Sequence, residues 1–292
     1  MTTDAHIPPN DACRFCDAAA SLLCVQKVLG RYDVGYYQCP ACELIQTQTP
    51  FWLSEAYASA LSAFDTGAVA RTRACGDLVL SLARILRLGP DDPCLDYGGG
   101  HGILTRALRD EGFNFHWHDR YASNLLARGF EGDPSRRYAL LTCFEVLEHL
   151  PHVGEGLDEL FAPGHDHLLV STVLHRGHRE NWWYYCPEAG QHVAFYSQRT
   201  MQLIATRFGY EGIVTPQYSL FSGRGRLTGW RRRFATAILD AAREGQASYF
   251  QRIALALRPR YRSRVWDDHV ELMRREGQAT GQTVRREESR AA

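Results

Sequence analysis

At 292 residues the chain has room for about two domains, or for one domain with an appended module, and its 45% apolar content supports a buried core. Lys+Arg and Asp+Glu balance at 33 each, so strong electrostatic capture of nucleic acid or of an anionic membrane is not expected. No apolar run reaches the roughly 18 residues of a membrane helix, and Met1-Thr2-Thr3-Asp4 lacks the basic and apolar regions of a signal peptide. The expectation is a cytoplasmic protein with no membrane partner. Nine cysteines, an odd number, then point to metal or buried thiols rather than to disulfides.

Residues 1–50 carry five of the nine cysteines. Cys13-x-x-Cys16 and Cys39-x-x-Cys42 are each the two-residue knuckle that sets two thiolates on one tetrahedral Zn²⁺, with 22 residues between the pairs. Four thiolates leave no open position, so a zinc ion here is structural, and it stabilises a module too small to bury much apolar surface. Residues 51–90 read as a helical connector. Leu78, Leu82, Ile85 and Leu86 repeat at helical spacing, and Gly89-Pro90 ends the run.

From residue 91 to 221 strands and helices alternate. Cys94 to Tyr97, Phe113 to His118, Tyr138 to Phe144 and His167 to Thr172 read as strands. Ile103 to Asp110, Ser123 to Arg128, Gly156 to Phe161 and Gln198 to Phe208 read as helices. This pattern predicts an α/β domain with a Rossmann-like parallel sheet covered on both faces. The long connection 174–197 holds Trp182, Trp183, Tyr184 and Tyr185, read as a lid, and His192. Residues 222–292 are predicted to be a helical extension ending in a disordered tail.

The turn Asp96-Tyr97-Gly98-Gly99-Gly100-His101-Gly102 ends a strand and opens a helix, where glycines allow a sharp bend and close approach to a ligand. A dinucleotide pattern G-x-G-x-x-G starting at Gly98 would place its third glycine at Ile103, so that pattern fails; D-x-G-x-G-x-G is met by Asp96, Gly98, Gly100 and Gly102. The turn resembles motif I of the class I S-adenosylmethionine-dependent methyltransferases. The resemblance implies that the amino-acid end of the cofactor lies over the turn. It also implies that an acid after the next strand, here Asp119, receives the ribose hydroxyls. Asp133 is the nearest residue to the family's adenine-side acid.

Phe144-Glu145-Val146-Leu147-Glu148-His149 resembles the FEVLEH segment of one branch of that class, which implies that Phe144 and Glu145 lie beside the methionine moiety. A zinc module ahead of such a domain is similar to the sugar C-methyltransferases. In those enzymes a histidine after the fifth strand is the base; Gln191-His192-Val193-Ala194-Phe195-Tyr196-Ser197 matches that segment in outline, with Gln191 where the family has an acid. The implied function is methyl transfer to a small-molecule or carbohydrate acceptor, with His192 as general base. Two other readings stand beside it. One is an RNA or protein methyltransferase gripping its substrate with the zinc module and Arg231-Arg232-Arg233; the other is an inactive scaffold.

Overall fold

The computed structural model describes residues 7–58, 66–177, 180–242 and 249–276. The predicted disordered tail and His178 lie outside these residues. Two sheets organise the chain. The first is antiparallel and contains β1 (Asn10–Ala12), β2 (Ala19–Val28), β3 (Tyr32–Gln38), β4 (Ile45–Thr47) and, far along the chain, β9 (Ala194–Phe195). The second contains β5 (Cys94–Tyr97), β6 (Phe115–His118), β7 (Leu140–Phe144), β8 (His167–Ser171), β10 (Tyr210–Val214) and β11 (Tyr218–Gly223), in the order β10-β11-β8-β7-β5-β6. Its four strands from β5 to β8 are parallel, β11 runs antiparallel to β8, and β10, antiparallel to β11, returns to the direction of the parallel strands.

The α/β prediction holds. Strands β5, β7 and β8 are buried along almost their whole length because helices cover both sheet faces. A long helix α2 (Ala68–Leu86) follows the short α1 (Leu53–Ala56) and buries Leu78, Leu82, Ile85 and Leu86, the predicted stripe. It ends at Arg87, which is left-handed (φ 59°). Helices α3 (Ile103–Asp110), α4 (Val153–Phe161) and α5 (Gln198–Arg207) complete the crossovers. Ser197 caps α5 by accepting from the Thr200 backbone N–H, and Thr200 returns the bond. Two C-terminal helices, α6 (Gly229–Ala241) and α7 (Tyr249–Ala256), pack on α2, and the chain is helical again over 265–276.

The predicted helix from Ser123 to Arg128 does not form. The Asn124 side chain accepts from Ala127 N–H, and the Leu125 and Leu126 N–H groups both donate to the His101 carbonyl. These local bonds compete with the helical ladder. Among the described residues, one parallel bridge, Trp117 to Glu131, continues the sheet beyond β6. The 265–276 helix closes that edge instead. Its Asp268 forms a buried bidentate pair with Arg109 at 2.6 and 2.7 Å, and Arg109 also donates to Phe115 O.

The N-terminal module does not have a core of its own. Cys13, Phe15, Tyr37 and Leu44 share one apolar cluster with Leu141, Leu168 and Phe221 of the parallel sheet. This apolar cluster runs across the boundary expected after residue 50.

Candidate active site

The carboxyl ends of four parallel strands supply the site, as open α/β sheets place ligands. After β5 the chain enters the glycine turn, where Gly98, Gly100 and Gly102 have φ of 71°, 54° and 87°. The three glycines answer different constraints. A Cβ on Gly98 would stand 2.4 Å from Val146 Cγ2, and one on Gly102 would stand 3.1 Å from Ala127. A Cβ on Gly100 would meet nothing within 4 Å, so this face of the turn is open to a ligand.

Asp96 lies below the turn, fully buried, and accepts from Thr105 and Thr142 hydroxyls at 3.1 and 3.0 Å. Burial raises its pKa to about 6. It ties β5 to α3 and β7, and so holds the turn from beneath. Asp119 follows β6 and accepts from the N–H groups of Gly100 (2.9 Å), Tyr121 (2.7 Å) and Ala122 (2.8 Å). A carboxylate has about four acceptor positions, so Asp119 keeps capacity for a ligand hydroxyl beside Gly100. Asp133 is placed otherwise: its carboxylate is exposed and closes a local turn onto Ser135 N and Oγ.

After β7 the chain bends sharply. Glu145 is left-handed (φ 54°), its N–H donates to Ser171 at the end of β8, and its carboxylate accepts from Ser171 Oγ at 2.6 Å. That bend lays Val146 over Gly98 and starts a 3₁₀ turn, Leu147–His149. Phe144, at the end of β7, is partly buried on the α2 side of the sheet.

Glu148, His149 and His192 meet here, each offering one donor atom within 4.8 Å of the others. Glu148 is fully buried; Tyr184 donates to its Oε1 at 2.5 Å, and its Oε2 has no hydrogen-bond partner among the described residues. Burial, and then the neighbouring Glu145, push its pKa well above the usual carboxylate range.

The two imidazoles pack edge to face, with centroids 4.9 Å apart. Nδ1 of His192 lies 2.7 Å from Tyr184 O, and Nδ1 of His149 lies 3.1 Å from Gln191 O. A carbonyl only accepts, so in His192 Nδ1 carries the proton and Nε2 the lone pair, whereas His149 Nδ1 lies between the Gln191 carbonyl and the Tyr57 hydroxyl. Burial lowers both pKa values, that of His149 to about 3. Both rings are therefore neutral near pH 7. On the Asp119 side, Tyr57 reaches His149 Nδ1 at 3.0 Å and stacks on Tyr121, two residues after Asp119.

The lid reading is corrected. Trp182, Tyr184 and Tyr185 are buried in an apolar cluster with Val28, Tyr36 and Trp52, and only Trp183 is exposed. These rings pack on the first sheet, and Tyr184 reaches from there to Glu148. His175 is also structural, its Nε2 bonded to Glu43 O at 2.8 Å. The arginine run is partly engaged within the chain, Arg231 with Ile85 O and Arg232 with Gly212 O.

The four thiols converge at the far end of the first sheet. Sγ atoms of Cys13 and Cys42, and of Cys16 and Cys39, lie 3.5 Å apart, and all four lie within 4.8 Å. Four ligands at ~2.3 Å around zinc would be separated by roughly 3.8 Å, so the cluster fits a tetrahedral ion. The two knuckles repeat one geometry: Asp17 N–H returns to Cys13 O, Glu43 N–H returns to Cys39 O, and both returning residues are left-handed. Hydrogen bonding from Cys42 lowers the Cys13 pKa to about 5.

A sequence profile described as a methyltransferase domain covers residues 69–215, half of the chain, and the chain belongs to that family. The match begins inside α2, so the predicted connector lies partly within the family's domain.

Among solved structures, magnesium protoporphyrin IX methyltransferase (ChlM) from Synechocystis PCC 6803 with bound SAM is similar at 14% identity and a TM-score of 0.40, over 59% of this chain and 89% of that one. The Burkholderia thailandensis 1,6-didemethyltoxoflavin-N1-methyltransferase is similar at 13% identity and a TM-score of 0.44, over 65% and 93%. NcsB1, an O-methyltransferase from neocarzinostatin biosynthesis, gives 14% and 0.41, over 60% and 62%. No curated protein matches the chain.

Proposed function

We propose that the chain methylates a small-molecule or carbohydrate acceptor held in the pocket of Glu148, His149, Tyr184 and His192. The observation that carries this reading is the seat of Val146 on Gly98, which sets that pocket directly beside the glycine turn. S-adenosylmethionine, when bound, supplies a methyl group made electrophilic by its sulfonium sulfur. Gly98 to Gly102 would receive its amino-acid end, Asp119 its ribose, and Phe144 and Glu145 would flank the methionine portion. Asp96 acts through the turn it holds.

His192 is the general base. Its Nδ1–H on Tyr184 O fixes the ring, and its neutral Nε2 accepts the acceptor's proton as the new bond to methyl forms. Trp182, Tyr184 and Tyr185 exclude water from that side. The four cysteines would hold a structural Zn²⁺ in the manner of the sugar C-methyltransferase module.

A His192→Ala variant tests the assignment. S-adenosylmethionine affinity by calorimetry should change little. Methyl gain by mass across a panel of glycans and natural-product scaffolds should fall by on the order of 10² to 10⁴. Full turnover in the variant would remove His192 from the mechanism.

A further inference from the structure

The lone pairs that make His192 a base also belong to a ligand set. Glu148, His149 and His192 bring two imidazole nitrogens and one carboxylate oxygen within 4.8 Å of one another. Two imidazoles and a carboxylate with open positions form a donor set that suits divalent first-row transition cations. Three further features of the pocket go beyond a chance grouping.

First, Glu148 is completely buried and its Oε2 is unpartnered among the described residues, which is costly for a carboxyl group without a ligand. Second, each imidazole is anchored through Nδ1 to a backbone carbonyl, Tyr184 O or Gln191 O, the support that orients a histidine whose Nε2 ligates a metal. Third, Tyr184 fixes the other oxygen of Glu148 at 2.5 Å, which leaves Oε2 as the free donor. Both histidines keep some exposed surface, whereas the Glu148 carboxylate has none.

We propose that Glu148, His149 and His192 bind one divalent first-row transition cation, whose remaining positions take an oxygen of the methyl acceptor. The inference rests on the acceptor lying in this pocket, and it narrows the acceptor to one presenting a hydroxyl. With the cation bound, His192 Nε2 is a ligand. The acceptor O–H, acidified by the cation, loses its proton to solvent. The oxygen lone pair then forms the O–CH₃ bond, and the electrons of the S–CH₃ bond pass to sulfur. Without the cation, Nε2 takes the proton, because proton and cation compete for the same lone pair.

Cobalt(II) is the probe, added to full-length protein already loaded with one equivalent of zinc. The expected result is binding of one equivalent of Co²⁺ by calorimetry, with visible d–d bands and without the intense thiolate-to-cobalt charge transfer that the cysteine cluster would produce. Glu148→Gln and His149→Ala should each weaken Co²⁺ binding at least tenfold while S-adenosylmethionine affinity is kept. Tyr184→Phe, which keeps the ring, should weaken it by roughly tenfold.

No Co²⁺ uptake beyond the cysteine site, or uptake that Glu148→Gln and His149→Ala leave unchanged, overturns the cation site. In that event a loss of turnover in His192→Ala still supports the base assignment, so the two readings fail separately.

Discussion

The three alternate glycines of the turn look equivalent in sequence and are not equivalent in the fold. Gly98 and Gly102 are set by neighbours that a side chain would strike, whereas Gly100 faces open space with φ of 54°. A β-branched residue at Gly100 therefore introduces backbone strain of about 1–3 kcal/mol and also fills the side the ligand must approach. Gly100→Val is predicted to leave the fold intact and to weaken S-adenosylmethionine binding by roughly tenfold or more, each tenfold being about 1.4 kcal/mol. Calorimetry checks this, and unchanged affinity would place the ligand elsewhere. Asp119 is singled out in the sequence by its place at the end of the strand after the turn, and His192 by the resemblance of Gln191 to Ser197 to a sugar C-methyltransferase segment. The roles of Glu148 and Tyr184 are not legible there, because they depend on burial and on a contact 36 residues apart. Glu148 was visible within FEVLEH, but its partners were not.

At the scale of elements, β9 connects the two ends of the chain. It begins two residues after His192, pairs with β4 through Ile45–Phe195 and Gln46–Ala194, and so belongs to the sheet that carries the cysteine knuckles. Arg14, inside the first knuckle, donates to Thr47, Pro151 and Val193 carbonyls, and Thr200 donates to Cys42 O. The position of His192 thus depends on the cysteine cluster as well as on the parallel sheet.

A Cys39→Ser variant should lose its zinc and lose methyl transfer more than S-adenosylmethionine affinity, because the glycine turn lies on the other sheet. Metal analysis beside calorimetry and turnover checks this; a zinc-free protein with full turnover would break the link. A two-residue strand such as β9 carries no periodicity to read. The sequence pattern therefore showed the knuckles and His192 but not the strand that joins them. The missing helix after Ser123 has the opposite cause: a short apolar stretch was present, and the Asn124 turn displaced it.

Across the whole molecule, the parallel sheet and the residues at its carboxyl ends follow from alternating apolar runs, which dominate local choices in α/β chains. The closing of the sheet edge by the 265–276 helix does not, since the Arg109–Asp268 pair spans 159 residues. The shared core likewise joins Cys13 and Phe15 to Phe221, so the cysteine module is fastened to the parallel sheet. The central claim is that the glycine turn and the Glu148–His149–His192 pocket are two halves of one active site. A structure of the protein with S-adenosylhomocysteine tests it directly. The account predicts the amino-acid end over Gly98 to Gly102, the ribose at Asp119, and the sulfur directed toward His192; a sulfur facing away from that pocket, or a ligand bound off the turn, would contradict it.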